Sequence, residues 1–205
     1  MAEHLKPWAA LTPTEAVEVL APATVPWWIA GGWAIDLFVG RQTRQHDDLD
    51  VVFLRCDQIA AQGILAGWDL WAADPPGTLR PWEPGEFLGP RIHDIWCRRE
   101  PSAPWSLQIM LAESADDRWV FRRDPRVTAP LAQLGRETAE GTPYLAPHVQ
   151  LLFKSGTGRR PKDEADFAMA LPLLDPLGRR WLAEALNTTS PGHPWLARLA
   201  GVISG

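Results

Sequence analysis

The sequence predicts an α+β fold, a mixed β-sheet with flanking helices followed by a small helical C-terminal region. Three observations carry that expectation. Short runs rich in β-branched and aromatic residues alternate with helix-sized runs through the front of the chain. From Thr128 onward the strand signal fades and helical patterns dominate. No internal repeat, low-complexity tract or long linker breaks the 205 residues, a length that suits one sheet domain with an appendix. The expected division is 1–125 for the sheet domain and 126–205 for the helical region packed on it.

The elements follow in order. Thr14 to Leu20 reads as a helix, capped at Thr14 and ended by Pro22 and Pro26. Trp27 to Ala30 is a short apolar strand running into Gly31-Gly32, a tight turn. Trp33 to Val39 is a short helix stopped by Gly40, and Arg41 to Asp47 a polar loop. Leu49 to Leu54 is a second strand, Gln58 to Ala66 a helix ended by Gly67, and Trp68 to Ala72 a third strand. Asp74 to Pro90, with five prolines and three glycines, predicts an irregular loop. Ile92 to Arg98 and Trp105 to Leu111 predict a hairpin, and Trp119 to Phe121 a further short strand. Pro147 to Lys154, Lys162 to Leu171, Leu177 to Leu186 and Trp195 to Leu199 read as helices. Most of the twelve tryptophans belong in the core, with Trp82 and Trp105, beside proline-rich loops, as candidates to line a pocket.

Composition narrows the function. No window approaches the ~18 consecutive apolar residues of a membrane span, and Met1 to Ala10 has no signal-peptide pattern. Cys56 and Cys97 are too few for a disulfide scaffold and lack zinc-ligand spacing. A soluble, cytoplasmic protein is expected. The net charge of -5 argues against a stable nucleic-acid complex, as does the absence of aromatics interleaved with a basic stripe. Residues 1–125 carry 11 basic and 18 acidic side chains, against 9 and 7 in residues 126–205. Such an acidic front half would attract a cation, either a metal or a positively charged substrate, or would simply be solvated.

The chemistry concentrates in Ile29 to Asp36 and Arg44 to Asp50. Asp48 and Asp50 stand at the entry to a strand at i and i+2, so their carboxylates project from one face while Leu49, Val51 and Phe53 point to the other. Two like charges so close need a partner, and Mg²⁺ takes carboxylate and phosphate oxygens together. Gly31-Gly32 follows a strand and opens a helix, where backbone approaches a phosphate closely and N-terminal amides point at it. Each feature alone is weak. Their order, strand, Gly-Gly, helix, basic loop, then Asp-x-Asp on the next strand, is specific.

That order resembles the polymerase-β-like nucleotidyltransferase superfamily. More narrowly, Trp28 to Asp36 with Gly40 to Asp50 is similar to the aminoglycoside and lincosamide nucleotidyltransferases, the likeness running from Trp27 to Val52. A looser likeness continues in Leu151 to Lys154 and Arg160 to Phe167. The resemblance implies a nucleotidyltransferase-type mixed sheet and a magnesium-dependent adenylyltransferase of an antibiotic-resistance kind. Gly31 and Gly32 would hold the triphosphate of ATP, and Asp48 and Asp50 would hold Mg²⁺. An acceptor hydroxyl would attack the α-phosphorus as pyrophosphate leaves. The acceptor would be a small molecule such as an aminoglycoside-like antibiotic, whose positive charge suits the acidic front half.

The family pattern also asks for a third carboxylate on a later strand. The hairpin position offers Gln108, whose amide neither takes a proton nor binds Mg²⁺ strongly, so Asp94, favoured by its face, or Glu113 would substitute. Lys154 and Lys162 would neutralise the outer phosphates, or Lys162, Asp163 and Asp166 would only form helix-surface pairs or a cap. Arg44 and His46, just before the aspartates, would contact phosphate or orient the loop, and Asp36 would bridge to Arg41 or Arg44. Two other readings stay open: a catalytically weakened nucleotide-binding or regulatory module, motivated by Gln108, and a toxin-type nucleotidyltransferase acting on RNA or protein.

Overall fold

A capping box opens the described chain. The Glu15 amide donates to the Thr12 hydroxyl at 3.3 Å, and the Thr12 amide donates to the Glu15 carboxylate at 2.7 Å, starting α1 (Pro13–Leu20). The cap is therefore Thr12 rather than Thr14, because Pro13 lacks the amide that the first helical position leaves unused. The computed structural model describes residues 7–156, 158 and 160–201, so the expectation for Met1 to Ala10 lies partly outside the described residues.

Ten strands form one sheet among the described residues. They are β1 (Trp27–Ile29), β2 (Asp50–Leu54), β3 (Asp69–Ala73), β4 (Leu79–Pro81), β5 (Asp94–Arg98), β6 (Leu107–Ala115), β7 (Arg118–Val120), β8 (Thr128–Pro130), β9 (Gly135–Glu137) and β10 (Pro143–Leu145). The main order is β4-β3-β5-β6-β2-β1-β10-β9, with β7 bridging β6 to β8. β2 runs parallel to β6 and β1 parallel to β10; the other pairs are antiparallel. The α+β expectation holds, with a mixed sheet and helices at the C-terminal end.

Two local expectations change. Three strands follow position 125, where the pattern reads as helical, and β4 lies inside the stretch read as an irregular loop. Each of these strands has three residues, too few for an alternation to register, and each is held by its neighbour rather than by its own sequence. Trp82 and Trp105 do not line the main cleft. They are 4% and 0% exposed, because Trp82 donates its indole N–H to Glu86 O and Trp105 packs under the Arg98 guanidinium.

The remaining helices are α2 (Gly31–Val39), α3 (Gln58–Ile64), α4 (Pro147–Lys154), α5 (Pro161–Ala170), α6 (Pro176–Thr189) and α7 (Trp195–Gly201). β2 is buried along Val51 to Leu54, so the strand that carries the aspartate motif runs through the core and holds its first residue in a fixed place. α4 and α5 pack on α2, and α4 also packs on α6, which sets the helical end of the chain beside the glycine turn. No helix is long and apolar enough among the described residues to cross a membrane.

Candidate active site

The glycine turn is built from three directions. Ala30 N–H donates to Asp50 O at 2.8 Å, tying the end of β1 to the start of β2. Gly31 has φ +67°, and its amide donates to Gln150 Oε1 on α4 at 2.9 Å. A Cβ at Gly31 would run into the Asp50 carboxylate, and one at Gly32 into Arg44 and His46. The glycines are thus required by close approach as well as by backbone conformation.

One cleft gathers Gly31, Gly32, Arg44, Asp48, Asp50, Asp94, Lys154 and Lys162. Asp50 opens β2, and Asp48 lies two residues earlier, outside the strand, on the same cleft. Asp94 opens β5 and sits opposite Met110, next to the Asp50–Gln108 pair in the register of the sheet. Gln108 donates its side-chain amide to Asp94 Oδ1 at 3.2 Å. Burial drives the Asp50 pKa up to about 7, Asp48 and Asp94 add to the rise, and Lys154 and Lys162 work against it. Glu113 also faces the cleft but is held by Arg55 at 2.7 Å.

The opposite wall is cationic and already paired. Lys154 Nζ lies 2.7 Å from Asp166 and 3.6 Å from Asp163, all three side chains being buried. Arg44 donates to both oxygens of Asp166 at 3.0 and 3.3 Å. Burial works against the Arg44 charge, but the Asp166 hydrogen bond and the negative charges of Asp166, Asp36 and Asp48 together outweigh it and raise the pKa. Arg160 closes on Asp163 at 2.8 Å. Asp163 does cap α5, accepting from the Arg160 amide at 3.4 Å, but Asp163 and Asp166 are buried rather than surface pairs, and they bridge the loop after α2 to α4 and α5. Lys162 lines the cleft from an exposed position.

His46 stands apart from the cleft. It is behind Gly32, with its ring 4.4 Å from Trp33 and its Nε2 2.5 Å from Asp36 Oδ2. Asp36 also accepts from Thr43, so its partners are His46 and Thr43 rather than Arg41 or Arg44. A buried carboxylate ten residues before a histidine captured it, and Asp166 captured Arg44. Several lining residues carried no functional signal in the sequence, among them Gln150, Arg122, Arg123 and Trp119. They come from a strand, a turn and a helix far apart in the chain, and of them Gln150, one turn before the noted Lys154, lay within reach of a motif.

A second recess adjoins the first. Ala73, Gly77, Thr78, Leu79, Trp96 and Gln108 line it, and Asp94 belongs to both.

Comparison with known proteins bears on this geometry. Residues 14–67 match the aminoglycoside-2''-adenylyltransferase family. The 2''-aminoglycoside nucleotidyltransferases of Klebsiella pneumoniae and Escherichia coli are each 54% identical over 39 residues, 18% of this chain and 22% of theirs. The match thus spans about a fifth of the length of these curated relatives. Among solved structures, the solution structure of the antibiotic-resistance factor ANT(2'')-Ia has a TM-score of 0.52 at 20% identity, covering 94% of this chain and 97% of that one. The crystal structure of ANT(2'')-Ia with adenylyl-2''-tobramycin gives 0.51 at 21%, covering 86% and 97%. The lincomycin-bound lincosamide adenylyltransferase LnuA gives 0.52 at 20%, covering 76% and 92%. Residues 14–67, which include the glycine turn and the aspartates, are similar to the aminoglycoside-2''-adenylyltransferase family, and the chain has the fold of these solved antibiotic adenylyltransferases.

Proposed function

We propose that the chain transfers AMP from ATP to a hydroxyl of a small, antibiotic-like acceptor. The observation that carries this reading is the shared cleft of Asp48, Asp50 and Asp94 with Gly31-Gly32 and two lysines. The family implies Mg²⁺, and the donor set suits it: carboxylate oxygens only, with Asp50 raised to about 7 by burial first and by the charges of Asp48 and Asp94 second. Among the described residues no three acidic, His or Cys side chains already converge as a metal cage. That fits an ion held by one or two carboxylates and completed by substrate phosphates. Asp48 and Asp50 would hold it. When bound, it would offset the charge of the triphosphate and of the departing pyrophosphate.

The chain's own residues supply the rest. The Gly32 backbone and the first-turn amides of α2 would lie along the phosphates, where helix-end dipoles favour negative charge. Asp94, oriented at one oxygen by Gln108, would take the proton of the acceptor hydroxyl as its oxygen bonds to the α-phosphorus and pyrophosphate departs. Lys162, with Lys154 behind it, would face the outer phosphates. Catalysis on this scheme is positioning and charge stabilisation.

Gln108 opposite Asp50 favours the rival reading, a nucleotide-binding module with weakened chemistry. Incubation with α-labelled ATP, Mg²⁺ and a panel of antibiotics and RNAs tests both. Label on a small-molecule acceptor with matching pyrophosphate supports adenylyl transfer. ATP binding without pyrophosphate from any acceptor supports the module, and label on RNA or on protein supports the toxin-type reading.

A further inference from the structure

We infer that the recess beyond Asp94 selects acceptors with a hydroxyl, one uncharged sugar-ring face and at most one positive charge, an inference that rests on the adenylyl-transfer reading of the adjoining cleft. The floor of the recess follows from the register of the sheet. Trp96 on β5 lies between Trp71 on β3 and Gln108 on β6, and Ala73 faces Leu79 on the edge strand β4. The Trp96 ring is braced edge-on by Trp8 at 5.1 Å and by Trp105 at 5.5 Å. A half-buried indole fixed in this way is a preset platform, and a ring laid on it gains area without ordering the side chain first.

Charge points the same way. Among the described residues lining the recess, Asp94 is the acid. The acids of the bounding strands and turns are matched by guanidinium groups. Asp69 accepts from Arg98 at 2.7 Å and from the Trp71 indole at 2.9 Å. Asp74 and Glu86 both hold Arg80, at 2.9 and 2.7 Å. An acceptor with several ammonium groups would have to desolvate them against one carboxylate, or break these pairs. An acceptor with a single amine can leave that amine in water and bring only its hydroxyl to Asp94. The net acidity of the front half therefore does not reach this recess as free carboxylate.

The test separates acceptor binding from transfer. Lincomycin, with one basic amine, and tobramycin, with several ammonium groups, are titrated calorimetrically into the full chain without nucleotide. Lincomycin should bind about tenfold more tightly than tobramycin, and Trp96→Leu should weaken it about tenfold. Its affinity should change less than about twofold between roughly 50 and 300 mM salt. Leu79→Glu, on the edge strand, keeps the test decisive if Trp96→Leu fails to fold. It should weaken lincomycin and strengthen tobramycin by adding a free carboxylate. Tighter, steeply salt-dependent tobramycin binding, lincomycin affinity unchanged in either folded variant, or no binding of lincomycin would overturn the inference. Lincomycin binding as expected, with no pyrophosphate released on adding ATP and Mg²⁺, would instead remove the transfer reading and leave the recess as assigned.

Discussion

On the sheet wall, Asp48, Asp50 and Asp94 line one cleft, and burial, with the charges of the other two adding to it, pushes Asp50 up to about 7. On the helix wall, Arg44, Lys154 and Arg160 each rest against Asp163 or Asp166. The two walls were read from the same kinds of residue, acids and bases near a glycine turn, yet they differ in what they still need. The helix wall is paired before any ligand arrives, three cations sharing two carboxylates. The sheet wall is not, so the demand for a cation falls there. Asp48→Asn and Asp50→Asn test this most strongly. Either should lower adenylyl transfer by about 10²–10³-fold, measured as pyrophosphate release. The melting temperature should stay level or rise, since a like-charge contact is relieved. Full turnover in both variants would end the metal-holding role of this wall.

The helix wall should respond in the opposite sense. Asp166 is 1% exposed and holds both Arg44 and Lys154. Removing it leaves two cations short of their shared partner, a change that typically costs about 3–5 kcal/mol when one member of a buried pair is lost. Asp166→Ala is expected to lose that much in urea unfolding, and Asp166→Asn distinctly less. A loss under about 1 kcal/mol would mean the pairing is incidental and the contrast between the walls is false.

The contrast also explains what the sequence disclosed. Gly31, Gly32, Asp48 and Asp50 were legible because their geometry is local: a turn, and a two-residue spacing at a strand entry. Asp94 could be favoured over Gln108 and Glu113 only by its alternation on a strand. The register then puts Asp94 and Gln108 in contact, and Arg55 engages Glu113. The partners of Arg44 and His46 were not legible. Asp166 is 122 positions from Arg44, and Asp36 competes for His46 through a helix whose rotation the sequence does not state. Strands of three residues such as β8 to β10 escape for a related reason, since their stability comes from the neighbouring strand. The recess floor was the least legible, because Trp96 looks like any core tryptophan until Trp71 and Leu79 are placed around it.

The footing of the helix wall gives a pH test. His148 on α4 packs edge-on against Trp181 of α6 at 5.0 Å, near Gly178, and faces Arg136 and Asp175. Burial, with Arg136 adding to it and Asp175 opposing, depresses its pKa to about 4. The unfolded chain therefore binds the proton more readily. Stability from the neutral ring is present above the ordinary pKa of 6.5 and is lost as pH falls through about 4. The full effect is on the order of 3 kcal/mol. Urea unfolding between pH 7 and 4.5 should show His148→Leu losing less stability than the parent chain. Parallel pH profiles would mean that this ring is not buried neutral, and that α4 rests on α6 less firmly than the cleft requires.

Lys162 carries the smallest effect and the cleanest reading. Lys154 is entangled with Asp163 and Asp166, so Lys154→Ala would change folding and phosphate charge together. Lys162 is exposed, lines the same cleft, and works slightly against the rise of Asp50. Its removal should leave the helix wall intact. The expected result for Lys162→Ala is about a three- to tenfold weaker affinity for ATP with Mg²⁺, no change in urea midpoint, and little change in acceptor binding. Lys162→Arg should restore most of the loss, because the requirement is charge facing the phosphates rather than a buried fit. Wild-type ATP affinity in Lys162→Ala would transfer the phosphate role to Arg44 or Arg160. Both of these are already held by carboxylates, so a nucleotide would have to compete with Asp166 or Asp163, and the helix wall could no longer be described as preset.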